Sequence, residues 1–188
     1  APNGLFRNIN GERFEEVAAA AGVRGTSWTY ASAAADYDLD GDLDLYVGND
    51  YGLNRFYQNE GDGSFKDVAE ELGLLDRGNG MGVSWGDLNN DGLLDVYVAN
   101  MSSTAGNRIL DRLKEEVDEE VFEQLKKTAA GNTIFMRSAD GFEALPVEAG
   151  GVNASWAWNP VLCDFDLDGR KDIFVTNGFV TGELAHDT

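Results

Sequence analysis

Cysteine and histidine are nearly absent from this sequence. Cys163 is the sole cysteine and His186 the sole histidine in 188 residues. An intrachain disulfide and a cysteine-built zinc site are therefore excluded. A histidine-dependent triad or a multi-histidine metal centre would need residues from a second chain. Basic residues are scarce too, with 14 against 34 acids, a net charge of −20 and a pI near 4.1. Such a chain repels phosphate backbones and anionic membrane surfaces, so its expected partners exclude nucleic acid and favour cations. No run of 18 apolar residues is present, so no membrane insertion is expected. Residues 1–4 hold no basic stretch leading into an apolar run, so no signal peptide is expected there. A Gly-rich phosphate loop, a nucleophile elbow and a catalytic histidine are all missing from the pattern, which points away from an enzyme. The apolar fraction of 43% still suffices to bury a core.

What the sequence does have is a repeat. Asp36-Tyr-Asp-Leu-Asp-Gly-Asp-Leu-Asp44, Asp87-Leu-Asn-Asn-Asp-Gly-Leu-Leu-Asp95 and Asp164-Phe-Asp-Leu-Asp-Gly-Arg-Lys-Asp172 superimpose without gaps. Each runs into a short apolar stretch that ends in Asn49, Asn100 or Asn177. Asp36 and Asp87 are 51 residues apart, and Asp87 and Asp164 are 77 apart. Phe14, Phe65 and Phe142, each followed eight residues later by glycine, keep the same two spacings. One insertion of about 26 residues in the second unit reconciles the two periods.

The stretches Leu45–Val47, Val96–Val98 and Ile173–Val175 are aromatic and β-branched, as buried strands prefer. Glu60-Gly-Asp-Gly63 reads as a hairpin connection between two further strands. A unit is thus four strands in roughly 50 residues, the size of a propeller blade. The expected fold is all-β, an incomplete propeller of four-stranded antiparallel blades with one inserted helical segment. Residues 3–22 give a half blade, 30–73 a blade, 80–150 a blade with the insertion 101–131, and 154–178 another half blade. A propeller needs about 4–8 blades, so the expectation is a segment of a longer protein; the rival is an oligomer whose chains complete one another. Within the insertion Leu110, Leu113, Val117, Val121 and Leu125 recur at helical steps, with charge from Asp111 to Lys127 opposite. A surface helix packed over the blade edge is expected, with a partner-docking lid as the sharper reading.

The loops carry the chemistry. Oxygen side chains stand at positions one, three, five and nine, with glycine at six. Hard cations such as calcium take six to eight oxygens in adaptable geometry. The expected ligands are Asp36, Asp38, Asp40, the Asp42 carbonyl and Asp44 in the first loop. The second offers Asp87, Asn89, Asp91, the Leu93 carbonyl and Asp95, and the third Asp164, Asp166, Asp168, the Arg170 carbonyl and Asp172. An EF-hand would require Glu at position twelve between helices; that position is Val47, Val98 and Val175, between strands. Magnesium prefers strict octahedral geometry with retained waters, so three calcium sites are expected. Simple solvated turns are the alternative, but twelve of the 34 acids crowd these loops, where like charges oppose one another unless a cation intervenes.

Other residues have humbler expectations. Trp28, Tyr30, Trp156 and Trp158 precede the loops at fixed offsets and lead into an innermost strand. They pack between blades or form a stacking platform for a sugar or peptide. Asn49, Asn100 and Asn177 cap strand ends. Arg55 and Arg108 pair with loop carboxylates, and Cys163 lies buried and inert.

Asp36 to Val47, Asn54 to Phe65, Gly82 to Gly92 and Ser103 to Arg108 together resemble the FG-GAP/VCBS repeat family, in the branch of the cartilage acidic and UnbV-type proteins. The resemblance spans nearly the whole chain. It implies a calcium-bearing propeller like that of integrin α-subunits, usually seven-bladed, in secreted or cell-surface proteins. Periplasm is a further location compatible with filled calcium loops. The implied roles are adhesion, ligand binding or structural support, with a protein or carbohydrate ligand, or further blades of the same protein, as partner. A subunit of a surface fibre and the propeller part of a carbohydrate-active enzyme are the readings from other classes.

Overall fold

The computed structural model describes residues 1–102, 109–110, 112–114, 116–152 and 156–178. Among the described residues, twelve strands form four antiparallel sheets. The first sheet pairs β1 (Phe6–Ile9) with β2 (Arg13–Glu16). The second is a meander of β3 (Thr29–Ala35), β4 (Asp44–Asn49), β5 (Arg55–Asn59) and β6 (Phe65–Asp67). The third repeats it with β7 (Gly80–Gly86), β8 (Asp95–Asn100), β9 (Thr133–Ser138) and β10 (Gly141–Ala144). The fourth pairs β11 (Ala157–Cys163) with β12 (Asp172–Asn177). The first strands β3, β7 and β11 lie against one another in succession. This is the arrangement of incomplete propeller blades stacked side by side.

Strand alternation explains the stacking. Successive side chains point to opposite faces of a sheet, and in the two complete sheets both faces are covered. Tyr46 and Phe56 turn toward the third sheet, where they meet Val96, Val98, Phe135 and Phe142. Val47 and Tyr57, one residue on from each, turn the other way onto Ala18, Ala21 and Val23. The third sheet does the same, sending Tyr97, Ala99 and Ile134 onto Val152 and Ala157. Trp85 fills the seam between the complete sheets, 6.2 Å from the Tyr46 ring and 5.6 Å from Phe56. Where β7 and β11 approach, Gly82 leaves no room for a side chain, since a Cβ would overlap the Trp158 carbonyl.

A buried polar lattice pins the ends of these strands. Tyr46 donates its hydroxyl to the Leu74 carbonyl at 3.1 Å, and Asn54 accepts from the Asn49 amide at 2.8 Å. The next sheet repeats the pattern, with Tyr97 donating to the Gly151 carbonyl at 2.6 Å and Asn132 accepting from the Asn100 amide at 2.8 Å. Asn132 also donates to the Tyr97 hydroxyl at 2.7 Å. Asn49 and Asn100 do hold strand ends: Asn49 donates to the Leu53 carbonyl, and Asn100 to Asp76 and Thr133.

Several expectations change. The insertion does not carry one helix from Leu110 to Lys127. The helix α1 spans Glu119–Ala129, and Lys114–Asp118 interrupts the apolar stripe where described. Asp118 prefers the cap: its carbonyl accepts from the Phe122 amide at 2.9 Å, and Glu119 and Glu120 follow at the positive end of the helix dipole. Arg108 and Asp111 lie outside the described residues. Arg55 pairs at 2.7 Å with Asp67 on the neighbouring strand β6, rather than with a loop acid. Cys163 is exposed, not buried. Its counterparts Ala35 and Gly86 are covered by the following sheet, whereas no described sheet follows β11. Trp28 and Tyr30 are also exposed, at 66% and 55%, so neither packs between blades here. Among the described residues no helix is long and apolar enough to cross a membrane.

Phe56 is fully enclosed, whereas Phe174, on the open face of the last sheet, is 55% exposed. Phe56→Ala should lower the unfolding free energy by about 3–5 kcal/mol, and Phe174→Ala by under ~1 kcal/mol. Chemical denaturation of both variants measures the contrast; equal losses would refute this account of the core.

Candidate metal centre

The three acidic loops join the first and second strands of successive sheets, and their backbones are built alike. Position four adopts the left-handed conformation in each: Leu39 at φ 63°, Asn90 at 61° and Leu167 at 63°. Glycine at position six follows, at φ 97°, 88° and 90° for Gly41, Gly92 and Gly169. Two left-handed residues within three positions curl the chain back over its own carboxylates. The first aspartate then accepts two amides: Asp36 from Asp40 and Gly41, both at 3.1 Å. Asp87 accepts from Asp91 and Gly92 at 3.2 and 2.9 Å, and Asp164 from Asp168 and Gly169 at 3.1 and 2.8 Å. Position five accepts the position-seven amide every time, at 3.0 Å for Asp40, 2.8 Å for Asp91 and 2.8 Å for Asp168.

The ninth residue performs a second task. Asp44 is buried at the start of β4, where it accepts the Tyr37 amide at 3.2 Å and the Asn59 amide at 2.9 Å. Asp95 accepts the Leu88 and Arg137 amides, both at 2.8 Å. These carboxylates tie the loop to the third strand of their own sheet. Asp172 accepts only the Phe165 amide, at 3.0 Å, because its sheet has no third strand among the described residues. Burial pushes the Asp44 carboxyl up to about 6, against the lowering effect of its two amide donors. Asp95 rises for the same reason.

Carboxylate oxygens of Asp36, Asp38 and Asp40 lie within 4.8 Å of one another, as do those of Asp164, Asp166 and Asp172. In the second loop Asn89 replaces a carboxylate, and its amide donates to Asp91 at 2.9 Å. Leu93 and Arg170 hold position seven in the second and third loops, their amides bound to position five. Position seven of the first loop brings a surprise. Asp42 is expected to contribute its carbonyl, and its side-chain Oδ1 is in addition buried without a hydrogen-bond partner. Desolvation raises its carboxyl, and Asp40, Asp38, Asp36 and Glu60 raise it further.

Calcium fits this donor set. Every ligand position presents oxygen, and two oxygens of the first loop, Asp38 Oδ1 and Asp42 Oδ1, are buried with no hydrogen-bond partner. A buried acceptor left unpaired is costly, and a hard cation satisfies several such oxygens at once. Gln58 of β5 donates to Asp38 Oδ2 at 2.8 Å, holding that side chain in the cluster. Sequence spacing alone missed Gln58, because the hairpin register that brings it here is set by tertiary pairing.

Arg137 was also missed. Its guanidinium lies 4.7 Å from the centre of the Tyr37 ring and 5.0 Å from that of Phe142, so a cation is stacked between adjacent sheets just beside the first loop. A cavity of about 600 Å³ lined by Arg55, Asp76, Arg77 and Phe135 lies away from all three loops.

The left-handed leucines carry strain of about 1–2 kcal/mol each, which asparagine tolerates better. Asn90 occupies the same place in the second loop. Leu39→Asn should therefore raise the unfolding free energy by about 0.5–1 kcal/mol at constant calcium; a loss of stability would contradict the reading of the loop backbone.

Comparison with known proteins agrees with this geometry. Residues 36–98 match the family described as FG-GAP-like repeat. Cartilage acidic protein 1 of Homo sapiens is 27% identical over 183 residues, covering 94% of this chain and 24% of that protein. The Mus musculus protein of the same name is 28% identical over 183 residues, and the Xenopus tropicalis one 40% over 58 residues. The chain thus spans about a quarter of the length of the human and mouse relatives. Residues 36–98, which hold the first two acidic loops, are thus similar to the FG-GAP-like repeat, and nearly the whole chain is similar to a stretch of cartilage acidic protein 1.

Proposed function

We propose that this chain is a calcium-binding β-propeller module of an exported protein, serving in recognition or adhesion or as a scaffold, without catalysis of its own. The observation that carries the proposal is the converging cluster of Asp36, Asp38 and Asp40, in which Asp38 Oδ1 is buried and unpartnered, with Asp42 Oδ1 of the same loop likewise unpartnered. Asp36, Asp38, Asp40 and the Asp42 carbonyl would hold the first ion, with Asp44 reinforcing from the strand. Asp87, Asn89, Asp91, the Leu93 carbonyl and Asp95 would hold the second. Asp164, Asp166, Asp168, the Arg170 carbonyl and Asp172 would hold the third. The bound ion supplies charge neutralisation and cross-linking of each loop to its sheet, a structural service.

Location follows from affinity. Loops of this ligand type in extracellular modules bind calcium at roughly 10⁻⁴–10⁻³ M, so they fill outside the cell and empty in cytosol. The open faces of the first and last sheets support further blades as partners: Phe6 and Phe14 are 61% and 67% exposed on one, Phe165 and Phe174 58% and 55% on the other.

Calcium at about 100 times its dissociation constant should stabilise the fold by about 2.7 kcal/mol per site. Melting temperature should accordingly rise on addition of 10 mM calcium to chelator-treated protein. Replacing Asp36 and Asp38 together by asparagine should remove about a third of that rise. A melting curve indifferent to calcium would defeat the proposal.

A further inference from the structure

At the end of β4 remote from the acidic loop stands Asp50, about 20 Å along the strand from Asp44 by the rise per residue. It is 7% exposed, its Oδ1 is enclosed without a hydrogen-bond partner, and none of the described ion pairs includes it. The repeat shows that the fold does not demand an acid here. The corresponding residues after Asn100 and Asn177 are Met101 and Gly178. Asp50 therefore carries the cost of an unpaired buried carboxylate that its sister blades avoid.

Its surroundings are those of a small open cavity of mixed character, with Val121 and Leu125 as apolar wall beside the polar groups. Asp50, Tyr51, Arg77, Asn79, Gln124 and Thr128 line a space of about 220 Å³ between the β4–β5 turn and α1. That volume falls below the roughly 300–1,000 Å³ of pockets for drug-sized ligands and suits a single ring. The inserted helix closes one wall, where the Thr128 hydroxyl donates to the Gln124 carbonyl of its own helix at 3.0 Å and lies 3.5 Å from the Arg77 carbonyl. On the other side Tyr51, 65% exposed, meets the exposed Trp28 edge to face at 6.1 Å. The Asp50 amide donates to the Trp28 carbonyl at 2.8 Å, so the acid and the aromatic pair are held in one rigid turn.

We propose that this cavity binds a neutral sugar residue of a glycan, with Tyr51 and Trp28 as the stacking platform and the Asp50 carboxylate as acceptor for one of its hydroxyls. The choice follows from chemistry. Arg77, Asn79 and Gln124 offer donors beside the acceptor Asp50, a mixed set that matches adjacent hydroxyl groups, each both donor and acceptor. A cationic ligand would face Arg77, and an anionic one would face Asp50 and a chain of net charge −20. An aromatic face covers the apolar side of a sugar ring while its hydroxyls stay hydrogen-bonded. This names the ligand class within the recognition role proposed above and rests on that reading, though the cavity is separate from the calcium loops.

The test uses the whole chain in saturating calcium. The methyl glycosides of glucose, galactose, mannose and N-acetylglucosamine, each at 10 mM, are titrated and followed by tryptophan fluorescence and by the amide resonances of Gly52 and Asn79. At least one glycoside should shift these signals, and Asp50→Asn and Tyr51→Ala should each weaken that response tenfold or more. Tyr51 is exposed, so its variant folds even where Asp50→Asn does not. Silence from all four glycosides, a response that survives both substitutions, or binding of a lysine-rich peptide in their place would overturn the proposal. The calcium-dependent rise in melting temperature should persist in both variants, so failure here is separable from failure of the calcium reading.

Discussion

Like charges held together by the backbone are the constraint on which this structure depends. Each acidic loop folds its carboxylates inward because two left-handed residues turn the chain and because the first aspartate is tied to two amides of its own loop. At a separation near 4 Å, two such charges repel by about 4 kcal/mol in the effective dielectric of a protein surface. A loop so arranged is poised for a divalent ion, and the ninth aspartate passes the consequence on. Asp44 and Asp95 grip amides of the third strand, so order in the loop becomes order in the sheet.

The sheets themselves are held by an alternation with no polar face. Tyr46 and Val47 look to opposite neighbours, as do Tyr97 and Val98, so each complete sheet is a partition between two cores. Polar groups that such strands cannot avoid are absorbed by the repeated tyrosine and asparagine network. Arg137 belongs to the same logic, its charge stacked on two rings where the loop acids are close at hand.

Much of this was legible in the sequence, and the limits have physical causes. The loops could be read because their spacing is local: a side chain at every second position followed by glycine dictates a turn whatever surrounds it. The strands could be read because apolar and β-branched residues cluster after each loop. The left-handed state of Leu39 and Leu167 could not, since leucine has no preference for it and the carboxylate–amide bonds impose it. Helix α1 is shorter than its apolar stripe because it opens only at Asp118, whose carbonyl accepts the Phe122 amide. The exposure of Cys163 depends on which sheet lies alongside, and the pairing of Arg55 with Asp67 on the register of β5 against β6, neither of which a local pattern states. Asp50 was passed over because a single acid after a strand looks ordinary until its burial is known.

The most direct test of the central claim is a calcium titration of the isotopically labelled chain, read at the amides of Gly41, Gly92 and Gly169. Each of these donates to the first carboxylate of its loop. The account predicts that all three resonances move and saturate at sub-millimolar to millimolar calcium, with the shifts reversed by chelator. Three glycine amides that stay in place while calcium is raised to tens of millimolar would contradict it.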